Sequence, residues 1–126
     1  MVNFGAPDTV PERYKGRLFY EHNANVTLMR TNVDENAQLG AQLAAKLSAS
    51  RGPVTVLLPL QGLSVVGMSG GPFHWPAADA ALFDALKRDL RPDIPVIELD
   101  CGINAPEFAR RCATELIASI GAAAPG

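Results

Sequence analysis

Apolar positions along this chain switch between two spacings, and the switch predicts the architecture. Residues 17–21 and 26–30 are short runs rich in aromatic and β-branched side chains, and they read as strands. Across 35–50 the spacing lengthens. Leu39, Leu43 and Leu47 recur every fourth residue among Ala37, Ala41, Ala44 and Ala45, which predicts a helix. Asn32 and Glu35 make a capping-box pattern at its start, and Gly52-Pro53 ends it. Residues 54–60 are then almost continuously apolar, the pattern of an inner parallel strand. Residues 62–66 read as a short further strand or a loop.

Pro76 occupies a favourable first-turn position for a helix over 77–90, with Leu82, Phe83, Leu86 and Leu90 on one face and Arg91-Pro92-Asp93 at its end. Residues 95–100 form another strand. Asn104-Ala105-Pro106-Glu107 is a second capping box, and the helix it opens over 105–120 carries Phe108, Cys112, Leu116 and Ile120 as a stripe. Residues 1–16, with Gly5, Pro7, Pro11 and Gly16, read as an irregular lead-in, and 121–126 as a flexible tail of small residues. The opening Met1–Gly5 looks more like a strand exit than a natural start.

Alternating strands and helices predict an α/β fold, a mostly parallel sheet flanked by helices. Ligands of such folds sit beyond the carboxyl ends of the strands. Loops 31–35, 61–75 and 100–104 reach that edge.

Composition narrows the function classes. With 126 residues the chain is one domain or part of one. It carries 11 basic and 13 acidic side chains, a net charge of −2, and no basic block, so the electrostatic footprint of a nucleic-acid binder is missing. No apolar run reaches membrane-span length and no basic-then-apolar leader opens the chain, so no membrane association is expected. Cys101 and Cys112 fit a reducing cytoplasm without a disulfide, and two Cys with two distant His give no metal-binding spacing.

Candidate chemistry gathers in three places. In the loop Gly67-Met68-Ser69-Gly70-Gly71-Pro72-Phe73-His74-Trp75, adjacent glycines leave N–H groups unshielded ahead of a helix N-terminus, an arrangement suited to an anion. The spacing matches no standard phosphate loop, and a tight strand-to-helix connection explains it equally well. Trp75 offers a flat face for a base or sugar, although a single Trp is more often packing. His22-Asn23-Ala24-Asn25 supplies a titratable group among amides, or simply a turn in which Asn23 and Asn25 bond the backbone. Arg30 and Thr31 close a strand beside a helix start, where a guanidinium can clamp a carboxylate or phosphate. Asp79 suits the positive end of a helix dipole. Asp100, at a strand end, suits a base or ribose contact. Cys101 has no local His to activate it.

The segments Leu18-Phe19-Tyr20-Glu21-His22-Asn23, Val26-Thr27-Leu28-Met29-Arg30-Thr31, Gly52-Pro53-Val54-Thr55-Val56-Leu57-Leu58-Pro59-Leu60, Gly70-Gly71-Pro72-Phe73 and Asp79-Ala80-Ala81-Leu82-Phe83 follow one another in order. Together they resemble the C-terminal end of a family of largely uncharacterised proteins that includes the tomato mosaic virus resistance protein, an ATP-binding inhibitor of viral RNA replication. The resemblance runs from residue 1 to about residue 120. It implies longer proteins with two Rossmann-like domains in tandem, this chain being the later part of the second. It also implies a missing N-terminal part of the same protein as partner, and ATP as the candidate cofactor.

The expectation is therefore an α/β fragment contributing to a nucleotide or phosphorylated-metabolite site. Its ligand-binding candidates are Asn23, Arg30, Thr31, Ser69, Gly70, Gly71, Pro72 and Phe73. One alternative is a metabolic enzyme for a small carboxylate or sugar, with His22, Arg30 and His74 in the site and His22 and His74 as the titratable pair. The other is a dimerisation or scaffold segment. Apolar helix faces left bare by a partial domain predict a homo-oligomer.

Overall fold

Strand-forming side chains at Phe19, Tyr20, Val26 and Thr27 build a hairpin in the first of two units, residues 1–32. The computed structural model describes residues 1–123. In this unit β1 (Val2–Phe4) and β2 (Phe19–Asn23) both pair antiparallel with β3 (Val26–Met29), which lies between them. The start of the chain is thus not wholly irregular: Val2–Phe4 is a paired strand, followed by single 3-10 turns at Pro7–Thr9 and Glu12–Tyr14. The hairpin is tighter than its sequence suggested. His22 and Asn23 belong to β2, and only Ala24 and Asn25 turn.

The second unit starts at residue 33. It contains α1 (Val33–Ser48), β4 (Val56–Pro59), α2 (Pro76–Asp89), β5 (Val96–Leu99) and α3 (Pro106–Ala123). Strands β4 and β5 pair in parallel, Val56 opposite Val96 through Pro59 opposite Leu99. The α/β class holds, and among the described residues the parallel pairing is confined to these two strands. Helix α3 runs past Gly121, and residues 124–126 of the expected tail lie outside the described residues.

The core of this unit is one layer deep. Val56 and Leu58, alternate residues on one face of β4, are buried with Ala44 of α1, Phe83 and Leu86 of α2, and Leu90 and Ile94 beyond it. Helices α1 and α2 approach unusually closely. A Cβ on Gly40 would stand 2.3 Å from the Leu82 carbonyl oxygen and 3.1 Å from the Leu86 nitrogen, so only glycine admits the crossing. Beside it the Asn36 side chain, fully buried, donates from Nδ2 to the Ala78 carbonyl at 2.6 Å. Buried polar groups demand such partners, and this one pins the first turns of α2. At the opposite end Arg91 ties the two helix exits together. Its N–H donates to Ser48 Oγ at 2.9 Å and its Nη1 to the Ser48 carbonyl at 2.7 Å.

The buried stripe of α1 is Asn36, Gly40 and Ala44, whereas Leu39 and Leu43 are exposed. Helix α3 shows the same offset. Phe108 is buried and Cys112 half-buried, but Leu116 and Ile120 are exposed rather than continuing that stripe. In α1 the buried stripe steps by four as the leucines do, one residue further on, because Gly40 and Ala44 are small enough for the close approach of α2. In α3 the four-residue step, which drifts about 40° each time, carries Leu116 and Ile120 off the buried side.

Candidate functional site

At the carboxyl end of β4 the chain does not leave the sheet at once. Leu60 N–H donates to the Leu99 carbonyl at 2.9 Å and Gln61 N–H to the Cys101 carbonyl at 3.0 Å, while Ile103 N–H returns a bond to the Gly62 carbonyl at 2.9 Å. Two of the loops expected at this edge, 61–75 and 100–104, are thereby zipped together. Met68 seals the junction. A Cβ on Gly62 would lie 2.8 Å from Met68 Cγ, and one on Gly102 would lie 2.9 Å from Met68 Cε. Gly62 also has a φ of +143°, a conformation that side-chain-bearing residues avoid.

The glycine loop folds back on itself. Gly71 N–H donates to the Met68 carbonyl at 2.8 Å, Phe73 N–H to the Val66 carbonyl at 2.8 Å, and His74 N–H to the Gly71 carbonyl at 3.2 Å. Gly67 N–H bonds the carbonyl and the Oγ of Ser64, both at 3.1 Å. Most of the donors that the sequence offered to an anion are therefore engaged by the loop's own acceptors. The two central glycines have different reasons to be glycine. Gly70 has a φ of +83°, and Gly71 lies so close to Val66 that an added Cβ would meet its carbonyl oxygen at 2.3 Å. Phe73 is fully buried, while Ser69, Gly70 and Pro72 stay exposed.

What this folding creates is a cleft of about 320 Å³ between the end of β4 and the first turns of α2, lined by Leu60, Gln61, Gly67, His74, Pro76, Asp79, Ala80 and Phe83. It lies where α/β folds hold ligands. Each polar wall has an evident origin. Gln61 lies two residues past the end of β4, and its Nε2 donates to Asp100 Oδ1 at 2.5 Å. His74 is exposed at the end of the loop. Asp79 is buried in the first turn of α2, whose start is fixed by Pro76 and by the Asn36–Ala78 bond. Leu60, Ala80 and Phe83 give an apolar floor.

Of the residues singled out in the sequence, the cleft takes His74, together with Gly67 from the same loop. It takes Asp79 too, whose place in a first helical turn had a sufficient explanation without a ligand. Gln61 was missed. Its one sequence signal is position, directly after a run of strand residues and before a glycine. Cys101 is buried, and burial pushes its thiol pKa up, with Glu107 adding to the shift. It is thus no activated nucleophile. Both cysteines are free. Among the described residues no group of His, Cys, Asp and Glu can hold a metal ion, and no helix is long and apolar enough to cross a membrane.

The first unit holds the other candidates. The ladder slips between Glu21 and Asn23, so His22 is the extra residue of a bulge, a feature that re-aims a side chain. Its ring centroid lies 6.4 Å from that of Tyr20. Asn23 Oδ1 accepts from Asn25 N–H at 2.9 Å, which is the turn-forming role open to it. Arg30 and Thr31, both buried, lie at the far end of β3, where Arg30 N–H donates to the Leu18 carbonyl at 2.9 Å and its own carbonyl accepts from Arg17 Nη2 at 3.1 Å. The hairpin does not bring His22 and Arg30 together: all of β3 separates them, about 3.3 Å per residue.

Residues 1–120 match the Uncharacterised protein family (UPF0261) C-terminal domain. A UPF0261 protein of Mesorhizobium japonicum is 50% identical over 118 residues, covering 92% of this chain and 30% of its own length. A UPF0261 protein of Clostridium tetani is 41% identical, covering 93% of this chain and 29% of its own. The ToMV resistance protein Tm-1(GCR237) of Solanum lycopersicum is 39% identical over 111 residues, covering 86% of this chain and 15% of its own. The chain thus spans less than a third of the length of the relatives it matches, in keeping with a further, N-terminal part in such proteins. On this coverage and these identities, the chain belongs to the uncharacterised protein family UPF0261, matching its C-terminal domain.

Proposed function

We propose that this domain supplies one wall of a small-molecule site, for a nucleotide such as ATP or for a phosphorylated metabolite, at the carboxyl edge of β4 and β5. The observation that carries the reading is the cleft itself. It sets Gln61, His74 and Asp79 over an apolar floor at the start of α2. An amide, an imidazole and a carboxylate on an apolar base suit a ligand with a flat or aliphatic body and several hydroxyl or amino donors. The Asp79 carboxylate repels phosphate, so the ligand enters with its neutral end toward Asp79. Its anionic end lies toward His74 and the exposed Ser69-Gly70 corner. Arg30, Thr31, His22 and Asn23 are not needed for this wall. The relatives' greater length supports a site completed by other parts of the protein.

The test is a nuclear magnetic resonance titration of the chain with ATP and, in parallel, with inorganic phosphate. The expected result is ATP-dependent shifts at Gln61, Gly67, His74 and 77–80, weakened at least tenfold by His74→Ala and by Gln61→Ala, with phosphate alone much weaker. Shifts confined to other regions, or no shift at millimolar ATP, would overturn the reading.

A further inference from the structure

The two faces of the β4–β5 sheet are not equally covered. Val56 and Leu58 face the layer formed by α1 and α2. Thr55 and Leu57, on the alternate positions, line a groove of about 280 Å³ that stays open beside α3. Its walls include Pro53, Val54 and Leu57 on one side and Cys112, Leu116 and Ser119 on the other, with Glu115, paired to Arg111, beside them. Continuous with it, Leu116, Ile117 and Ile120 are 61%, 70% and 62% exposed. Strand β4 also has β5 as its single ladder partner among the described residues. Parallel sheets are stable when both faces are covered, and a contiguous apolar patch on one side marks a contact surface.

We infer that this groove and the outer face of α3 receive an apolar helix face from the N-terminal part of the full-length family protein, packed beside α3 against Leu57. Covalent connection favours that occupant over a second copy of the chain. In three bacterial relatives the matched region is 30%, 28% and 29% of the protein. The remaining length is thus tethered to this domain at an effective concentration on the order of millimolar, against micromolar for a free copy. This inference concerns a surface that shares no lining residue with the cleft and stands whether or not a nucleotide binds there.

The test compares cysteine labelling of Ile117→Cys by a maleimide in two settings, with the site read by peptide mass spectrometry. One is the 126-residue chain. The other is the Mesorhizobium japonicum relative with this chain grafted in place of its matched region. Lys46→Cys serves as the exposed control. The expected result is labelling at least tenfold slower in the full-length protein at 117 and equal rates at 46. Hydrogen–deuterium exchange of the corresponding helix in the ungrafted relative, slower than for α3 in the isolated chain, reads the same contrast without a graft. Equal rates at 117, with exchange equally fast in both proteins, would overturn the inference. Slow labelling already in the isolated chain, together with a dimer mass in sedimentation, would overturn it in favour of a second copy.

Discussion

Helices α2 and α3 start alike, each with a proline at its first position, and end differently. Helix α2 buries Ala78, Phe83, Ala85 and Leu86, and its close crossing with α1 leaves no room for a Cβ at Gly40. Helix α3 buries Phe108 and then turns Leu116, Ile117 and Ile120 outward. The apolar spacing separates the two. Phe83, Leu86 and Leu90 alternate steps of three and four, which holds them on one straight seam. Phe108, Cys112, Leu116 and Ile120 step by four throughout and wind away from the sheet. Helix α3 thus divides its apolar side chains between the sheet and an open surface, whereas α1, whose buried Asn36, Gly40 and Ala44 also step by four, keeps that stripe against α2 through small residues.

The largest expected effect breaks the α1–α2 crossing. Gly40→Val places side-chain atoms where the Leu82 carbonyl stands, and no rotamer relieves a backbone clash. The variant should lose about 3 kcal/mol or more of stability in chemical denaturation. A variant with the parent's unfolding midpoint would mean that the helices can part at little cost, and α2 would then resemble α3.

Truncations on the two helices sharpen the contrast. Leu86→Ala should cost about 2–5 kcal/mol, because Leu86 is 3% exposed within the core. Ile117→Ala in the same chain should change stability by less than about 0.5 kcal/mol. Comparable losses from the two would show that the outer face of α3 is covered within this chain. Between these limits lies Asn36→Ala, which removes the buried bond to Ala78 and should cost about 1–3 kcal/mol. It should also disturb amide resonances at Asp79 and Ala80, because the cleft is built on that turn.

The sequence made the elements legible more readily than their partners. Helix starts were clear from Pro76 and from the capping box Asn104–Glu107, and the burial of Val56 and Leu58 from an apolar run. Strand pairing was not, because a run such as 26–30 reads the same in an antiparallel hairpin as in a parallel sheet. The register that makes Val2–Phe4 a strand is a long-range fact about β3. The cleft was half legible. His74 stood out by chemistry. Gln61 stood out by nothing except its place after β4, and Asp79 was masked by a helix-dipole role that explains it equally well. The glycine loop was ambiguous for a physical reason: glycines that free N–H groups for a ligand and glycines that let a loop close on its own carbonyls look identical in one dimension.

The smallest expected effect asks whether electrostatics follow the same division. Lys87 of α2 donates to Glu98 of β5 at 2.6 Å, an ion pair that ties helix to sheet. On α3, Arg111 pairs with Glu115 four residues on, which ties the helix only to itself. The hydrogen bond from Glu98 holds the Lys87 pKa above its ordinary 10.5, helped by the charges of Glu98 and Asp84. A folded-state pKa raised above the unfolded one gives stability that is complete below about pH 10.5 and fades as pH climbs through the folded value. The pair is substantially solvated, so its worth is below about 1 kcal/mol. Glu98→Gln should therefore lower the unfolding free energy slightly at pH 7–9, and the difference from the parent should shrink above pH 10.5. Glu115→Gln should alter the chain less at either pH, since losing an intrahelical pair frees no contact between elements. A Glu115→Gln loss larger than that of Glu98→Gln would place α3 in the folded core on a par with α2, and the contrast between the two helices would fail.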